Sequence, residues 1–130
     1  MQYLSEATVR EIMDLSLAQA AAAASEGKTT DQMWDSIIGG PSPEEKALQD
    51  SLDKLNQFQA LDLVAMMYAG REMVQAETYT DEAKEKFVDV YNHNLVIYKN
   101  HGKDALIRRC EDKAPVLHRY LKAALVHSRY

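Results

Sequence analysis

The chain has little of what staples, anchors or interrupts a polypeptide. Cys110 is the single cysteine, so an intramolecular disulfide is excluded and a reducing compartment is the default. Five glycines and three prolines among 130 residues leave few breaks in the backbone. The longest unbroken apolar stretch, Leu63 to Ala69, falls far short of the ~20 residues that span a bilayer. The opening MQYLSEATVRE places acids early and lacks a basic-then-apolar layout, which argues against a signal peptide. The Ala20–Ala24 run reads as helix interior. These absences together set the expectation of a cytoplasmic chain with no membrane partner.

Alternation of apolar and polar residues is missing everywhere, and no internal repeat appears. What remains is rich in Met, Ala, Leu, Glu, Lys and Gln, the strong helix formers. An apolar share of 46% against 27% charged is a globular balance. The expectation is an all-α fold: one bundle-like domain over residues 1–130, with about five main helices plus one or two short ones.

Start and stop signals divide the chain. A first helix begins near Ser5 or Thr8, where Thr8 and Glu11 have the spacing of a capping box. Val9, Met13, Leu17, Ala20 and Ala24 form its apolar face and Gly27 ends it. Residues 26–42 are an irregular connection in which Thr29 and Gln32 can cap a short helix, broken by Gly39, Gly40 and Pro41. Ser42-Pro43-Glu44-Glu45 is the clearest helix start, with Leu48, Leu52 and Leu55 inward. Asn56 with Gln59 caps the next helix, FQALDLVAMMYAG, whose apolar character on nearly every side marks it as the buried centre, stopped by Gly70. Thr80-Asp81-Glu82 opens another, with Ala83, Phe87, Val90, Asn94 and Ile97 on one face, widened by Val88, Tyr91, Leu95 and Tyr98. Asn100-His101-Gly102 reads as its stop. A short piece around Ala105 to Cys110 precedes a last helix started by Asp112 and Pro115, with Leu117, Tyr120, Leu121 and Ala124 inward.

The search for chemistry returns little. His93, His101, His118 and His127 lack the i, i+3 or i+4 spacing that puts two ligands on one helical face. Asp89 and His93 have it, but a lone pair of this kind is usually a surface ion pair, so no metal or cofactor is expected. Arg108, Arg109 and Lys113 surround Cys110 in sequence and could lower its pKa, yet a lone cysteine on a short helix is more often a small buried hydrophobe. Gly39-Gly40 lacks the Lys-Ser/Thr of a phosphate loop. A helix-turn-helix over Ser42 to Gly70 fails because its second helix is apolar and carries Asp62 where a basic residue is needed. No catalytic residue is assigned.

Net charge is −5, unevenly spread: acids dominate before Met66, and bases after His101. The basic residues Arg108, Arg109, Arg119 and Lys122 are the candidates for an anion-binding surface, although overall acidity counts against nucleic acid. Asn94, on an apolar stripe, reads first as a satisfied core polar. Trp34 with Met33, Ile37 and Ile38 is a bulky apolar cluster, read first as a lid on the core and second as a partner anchor.

Leu52 to Glu72, LDKLNQFQALDLVAMMYAGRE, resembles the core of a family of small bacterial helical proteins of unknown function. That family's pattern is Leu-Asn, six residues, then Leu-Val-Ala-Leu-x-Trp-x-Gly-Arg-Gly. Leu55, Asn56, Leu63, Val64, Ala65, Gly70 and Arg71 match it, while Tyr68 stands for the tryptophan and Glu72 for the last glycine. PVLHRYLKAAL, Pro115 to Leu125, is similar to a second landmark of the family, Pro-Leu-Leu followed by Tyr-Leu. The resemblance implies a shared helical fold and carries no activity. Its one charged landmark is Arg71.

The resulting expectation is a non-enzymatic protein-interaction module or small regulatory protein, a homodimer in one version. Its partner residues would be Trp34, Ile37, Ile38 and Arg71, with the basic C-terminal residues as a second surface. A narrower version is a phage- or mobile-element-encoded inhibitor of a host defence system. The competing class is a ligand-binding or enzymatic protein with a pocket at Asn94, Tyr91, Tyr98 and His93.

Overall fold

Four helix starts depend on a side chain that satisfies backbone N–H groups the helix cannot. The computed structural model describes residues 3–26, 42–74 and 80–129, and these form six helices with no strand among them. They are α1 (Glu6–Glu26), α2 (Pro43–Asp53), α3 (Gln57–Met73), α4 (Asp81–Tyr98), α5 (Lys103–Asp112) and α6 (Ala114–Arg129). The all-α, bundle-like architecture expected from composition is therefore present. Trp34, Ile37 and Ile38 lie outside the described residues.

Ser42 accepts from the Glu45 amide at 3.2 Å, with Pro43 in the first turn of α2. Asn56 and Gln59 form a reciprocal capping box on α3, at 2.8 and 3.0 Å. Thr80 accepts from the Ala83 amide at 3.1 Å and starts α4. At α1 the cap is Ser5, whose hydroxyl accepts from the Thr8 amide at 3.2 Å. Thr8 is thus inside the first turn, and its expected box with Glu11 is not what starts the helix.

α3 is the centre of the core. Every residue from Ala60 to Met67 is buried, and α4, α5 and α6 all pack on it, while α1 lies against α2 and α6. Gly70 does not stop α3, as expected, but sits inside it. A Cβ there would lie 1.9 Å from the Tyr120 carbonyl oxygen and 3.2 Å from the Ala124 Cβ, so glycine is what lets α3 and α6 touch backbone to backbone. Gly102 likewise caps the start of α5 rather than closing α4.

Two apolar faces differ from expectation. On α1 the buried positions are Val9, Ile12 and Ser16, while Leu17 is 52% exposed. The face is rotated because Ser16 is tied inward: its hydroxyl donates to the Ala114 carbonyl at 2.6 Å and accepts from the His118 amide at 3.0 Å. On α4 the buried set is Phe87, Tyr91 and Asn94, leaving Val88 at 39% and Ile97 at 47% exposure. Among the described residues α4 packs mainly on α3 and α6, so its apolar face is narrower than its sequence stripe. No helix among the described residues is long and apolar enough to cross a membrane.

Asp62 is the unexpected element of the core. It is fully buried on α3, where one carboxylate oxygen accepts from the Tyr3 and Leu4 amides at 2.9 and 3.0 Å. Its other oxygen accepts from the Tyr91 hydroxyl of α4. A buried carboxylate is tolerable only when hydrogen-bonded in this way. It ties the entry to α1 and the middle of α4 onto α3. A second tie runs from the Gln57 side chain to the His101 carbonyl.

Candidate interaction surface

The ties through Asp62 and Gln57 fix α4 against α3 and bring two tyrosines together at the surface. Tyr68 of α3 and Tyr98 of α4 stack with centroids 5.6 Å apart and planes 18° from parallel. Each ring carries a guanidinium. The Arg71 carbon lies 4.9 Å from the Tyr68 centroid, and that of Arg109, from α5, lies 4.8 Å from the Tyr98 centroid. Both distances are within cation–π range. Arg109 also donates a long hydrogen bond, 3.4 Å, to the Tyr68 hydroxyl. His101 packs edge-on against Tyr98 at 5.1 Å.

The spacing along the helices explains why these groups meet. Tyr68 and Arg71 are three residues apart on α3 and so lie one turn above the other on one face. Tyr98 is the last residue of α4, and α5 folds back to present Arg109. Hydrogen bonding to Tyr68, working against partial burial, raises the Arg109 pKa above its ordinary value, with Tyr98 and Asp112 adding to the effect. The group therefore stays charged at any pH at which the protein is folded. No carboxylate of the described residues lies within ion-pair distance of either guanidinium; the pair that does form is Arg10 with Glu6 on α1, at 2.9 Å.

Beside the tyrosine pair is an open depression of about 450 Å³, lined by Tyr68, Arg71, Glu72, Val90, His93, Asn94 and Tyr98. Three of the four residues expected to line a pocket are thus together. Tyr91 is not among them, because it turns into the core toward Asp62. Asn94 is buried and donates to the Val90 carbonyl one turn back at 2.8 Å, which fits a satisfied core polar. Ile97 is one turn along α4 from both His93 and Asn94 and exposes its side chain.

The basic residues of the C-terminal half do not gather on one face. Arg109 belongs to the tyrosine cluster. Arg108 is exposed on α5, where it acts on Glu111, whose pKa is raised by burial and by Asp53 and lowered by Arg108. Arg119 and Lys122 line a different cleft, of about 330 Å³, with Met73, Val74, Val126 and His127.

The reactive groups elsewhere are committed to structure. Cys110 is buried, and burial pushes its thiol up to about 12, so it behaves as the small hydrophobe the sequence suggested. Asp62 is engaged by three donors. Burial lowers the pKa of His127, and burial with help from Arg119 lowers that of His118. Among the described residues no three His, Cys, Asp or Glu side chains are placed to hold a metal ion.

No protein-family model matches the chain, and no curated protein or solved structure is similar to it. The likeness drawn from the Leu52 to Glu72 and Pro115 to Leu125 stretches, Leu55, Asn56, Gly70 and Arg71 among them, therefore rests on the sequence pattern alone. The structure gives each of these four a part: core packing, capping, close helix approach and a ring-stacked surface cation.

Sequence reasoning picked out Arg71 and Arg109 separately and missed Tyr68 as their link. The one available signal was the i, i+3 spacing of Tyr68 and Arg71. Asp62 also went unread as a structural residue, although it is the single acid within an otherwise apolar helix run.

Proposed function

We propose that the protein is a non-enzymatic interaction module, and that the Tyr68–Tyr98 stack with Arg71 and Arg109 is the centre of its contact surface. The observation that carries this reading is the paired tyrosine–arginine arrangement at the surface, held by three helices and beyond ion-pair distance of any carboxylate of the described residues. Tyrosine and arginine are the residue types that dominate binding hot spots. Stacking fixes the side chains beforehand, so less rotamer entropy is lost on docking. Ile97 supplies an apolar edge. Trp34, Ile37 and Ile38 enter the proposal as a second apolar surface on their residue types alone.

The test is affinity purification of the full chain from native lysate, with mass spectrometry for proteins and small molecules. A stoichiometric protein partner, lost on Arg71→Glu with Arg109→Glu while the circular dichroism melt is unchanged, is the expected result. A reproducible small molecule without a stoichiometric protein refutes the reading and favours a ligand in the depression at Asn94.

A further inference from the structure

We infer that the element recognised at this surface is an acidic peptide segment of the partner, whose carboxylates meet Arg71 and Arg109. The inference rests on the interaction-module reading and adds the chemistry of the partner. Arg71 and Arg109 are two separate guanidinium groups, one on each ring of a stacked pair whose centroids are 5.6 Å apart. Each presents planar N–H donors that match a carboxylate two at a time.

Charge complementarity selects the sign of the partner. The two guanidinium groups lie beyond ion-pair distance of any carboxylate of the described residues, with Asp112 acting on Arg109 only from further away. Glu72, on the rim of the depression, disfavours a dense anion such as a phosphate dianion and leaves room for singly charged groups placed apart. Ile97, exposed one turn along α4 from His93 and Asn94, offers an apolar contact. A segment with acids and an apolar residue next to them fits this layout.

The experiment is fluorescence anisotropy with the full chain and a labelled helical peptide carrying Glu at i and i+4 with Leu beside them, against the same peptide with Gln. Expected is binding of the Glu peptide only, weakened by raising salt and weakened about tenfold or more by Arg71→Gln or Arg109→Gln. Arg71→Lys should fall between, since it keeps the charge but not the fork. Arg10→Gln, on the paired arginine of α1, should leave binding unchanged. Equal binding of Glu and Gln peptides overturns the inference, and so does binding of the Glu peptide that survives both arginine substitutions. Displacement of the peptide by inorganic phosphate at equal charge concentration overturns it in favour of a general anion site. A dimer in sedimentation that Arg71→Gln dissolves overturns it in favour of a second copy of the chain. If a stoichiometric partner is captured equally by wild type and the double glutamine variant, this inference fails while an interaction module stands. If no protein partner is captured at all, the module reading fails with it.

Discussion

Replacing Asp62 tests the core logic most directly. Among the described residues its carboxylate accepts three hydrogen bonds in a fully buried position, two from the Tyr3 and Leu4 amides and one from the Tyr91 hydroxyl. Hydrogen bonds to a charged group contribute about 1.5–3 kcal/mol each, and a donor left buried without a partner costs about 1–3 kcal/mol. The Tyr3 amide can turn to water, because that residue is exposed. The Leu4 amide and the Tyr91 hydroxyl are buried and are left without this acceptor. Asp62→Ala should therefore cost about 4 kcal/mol, a large share of the ~5–15 kcal/mol that holds a domain together. At about 4 °C per kcal/mol for a chain of this size, Tm drops by roughly 15 °C. Tyr91→Phe removes one donor and leaves the carboxylate its two amides, so it should cost only about 1.5–2 kcal/mol. Urea denaturation of both single variants and the double variant gives the coupling between them, expected near 1.5 kcal/mol with the m-value unchanged. Hydrogen exchange supplies a second readout: the Leu4 amide should lose protection in Asp62→Ala but keep it in Tyr91→Phe. If the two substitutions add within about 0.5 kcal/mol, the carboxylate and the hydroxyl do not act as a pair and the reasoning is refuted.

Further outcomes follow from other contacts. Gly70→Ala should destabilise by about 3 kcal/mol despite its better helix propensity, because its Cβ would meet the Tyr120 carbonyl; a stabilised variant in thermal melts would show that α3 and α6 do not approach this closely. Cys110 should resist Ellman's reagent in the native state and react on unfolding; rapid native labelling would contradict its burial. Its thiol ionises near pH 8.5 in the unfolded chain and near 12 when folded, so its contribution is intact below pH 8.5 and lost as pH rises toward 12. The wild type should accordingly lose up to about 1.4 kcal/mol per pH unit more than Cys110→Ala across that window. Burial lowers the folded pKa of His127, so its contribution is present above about pH 6.5 and lost as pH falls; His127→Gln should flatten the acid side of the stability profile, and an unchanged slope would argue against the buried neutral imidazole.

The helix starts were legible because capping is local. Ser42, Asn56 with Gln59, and Thr80 each act on an amide three residues away, and that spacing is written in the sequence. What was misread depends on contacts across the fold. Gly70 looks like a stop until Tyr120 is known to lie against it, and Leu17 looks inward until the Ser16 hydroxyl is found to donate to the Ala114 carbonyl. Ile97 and Val88 looked inward because their stripe is apolar, but no helix among the described residues covers that side of α4. The candidate site was half legible. Arg71, Arg109, Tyr98, His93 and Asn94 had all drawn notice, yet nothing local says that α3, α4 and α5 bring a tyrosine pair between two of them.

Both the packing and the candidate surface depend on α3. One side of it meets α6 at Gly70, another holds the chain entry and α4 through Asp62, and Tyr68 and Arg71 emerge where those contacts end. The tyrosine pair exists because the Asp62–Tyr91 and Gln57–His101 ties hold the end of α4 against α3. An interaction surface mounted this way is preorganised, with its side chains ordered before a partner arrives. Loss of the buried carboxylate should for this reason weaken binding at the surface as well as stability, even at a temperature where the chain stays folded. A surface that tolerated Asp62→Asn without any change in affinity would be held by its own stacking alone.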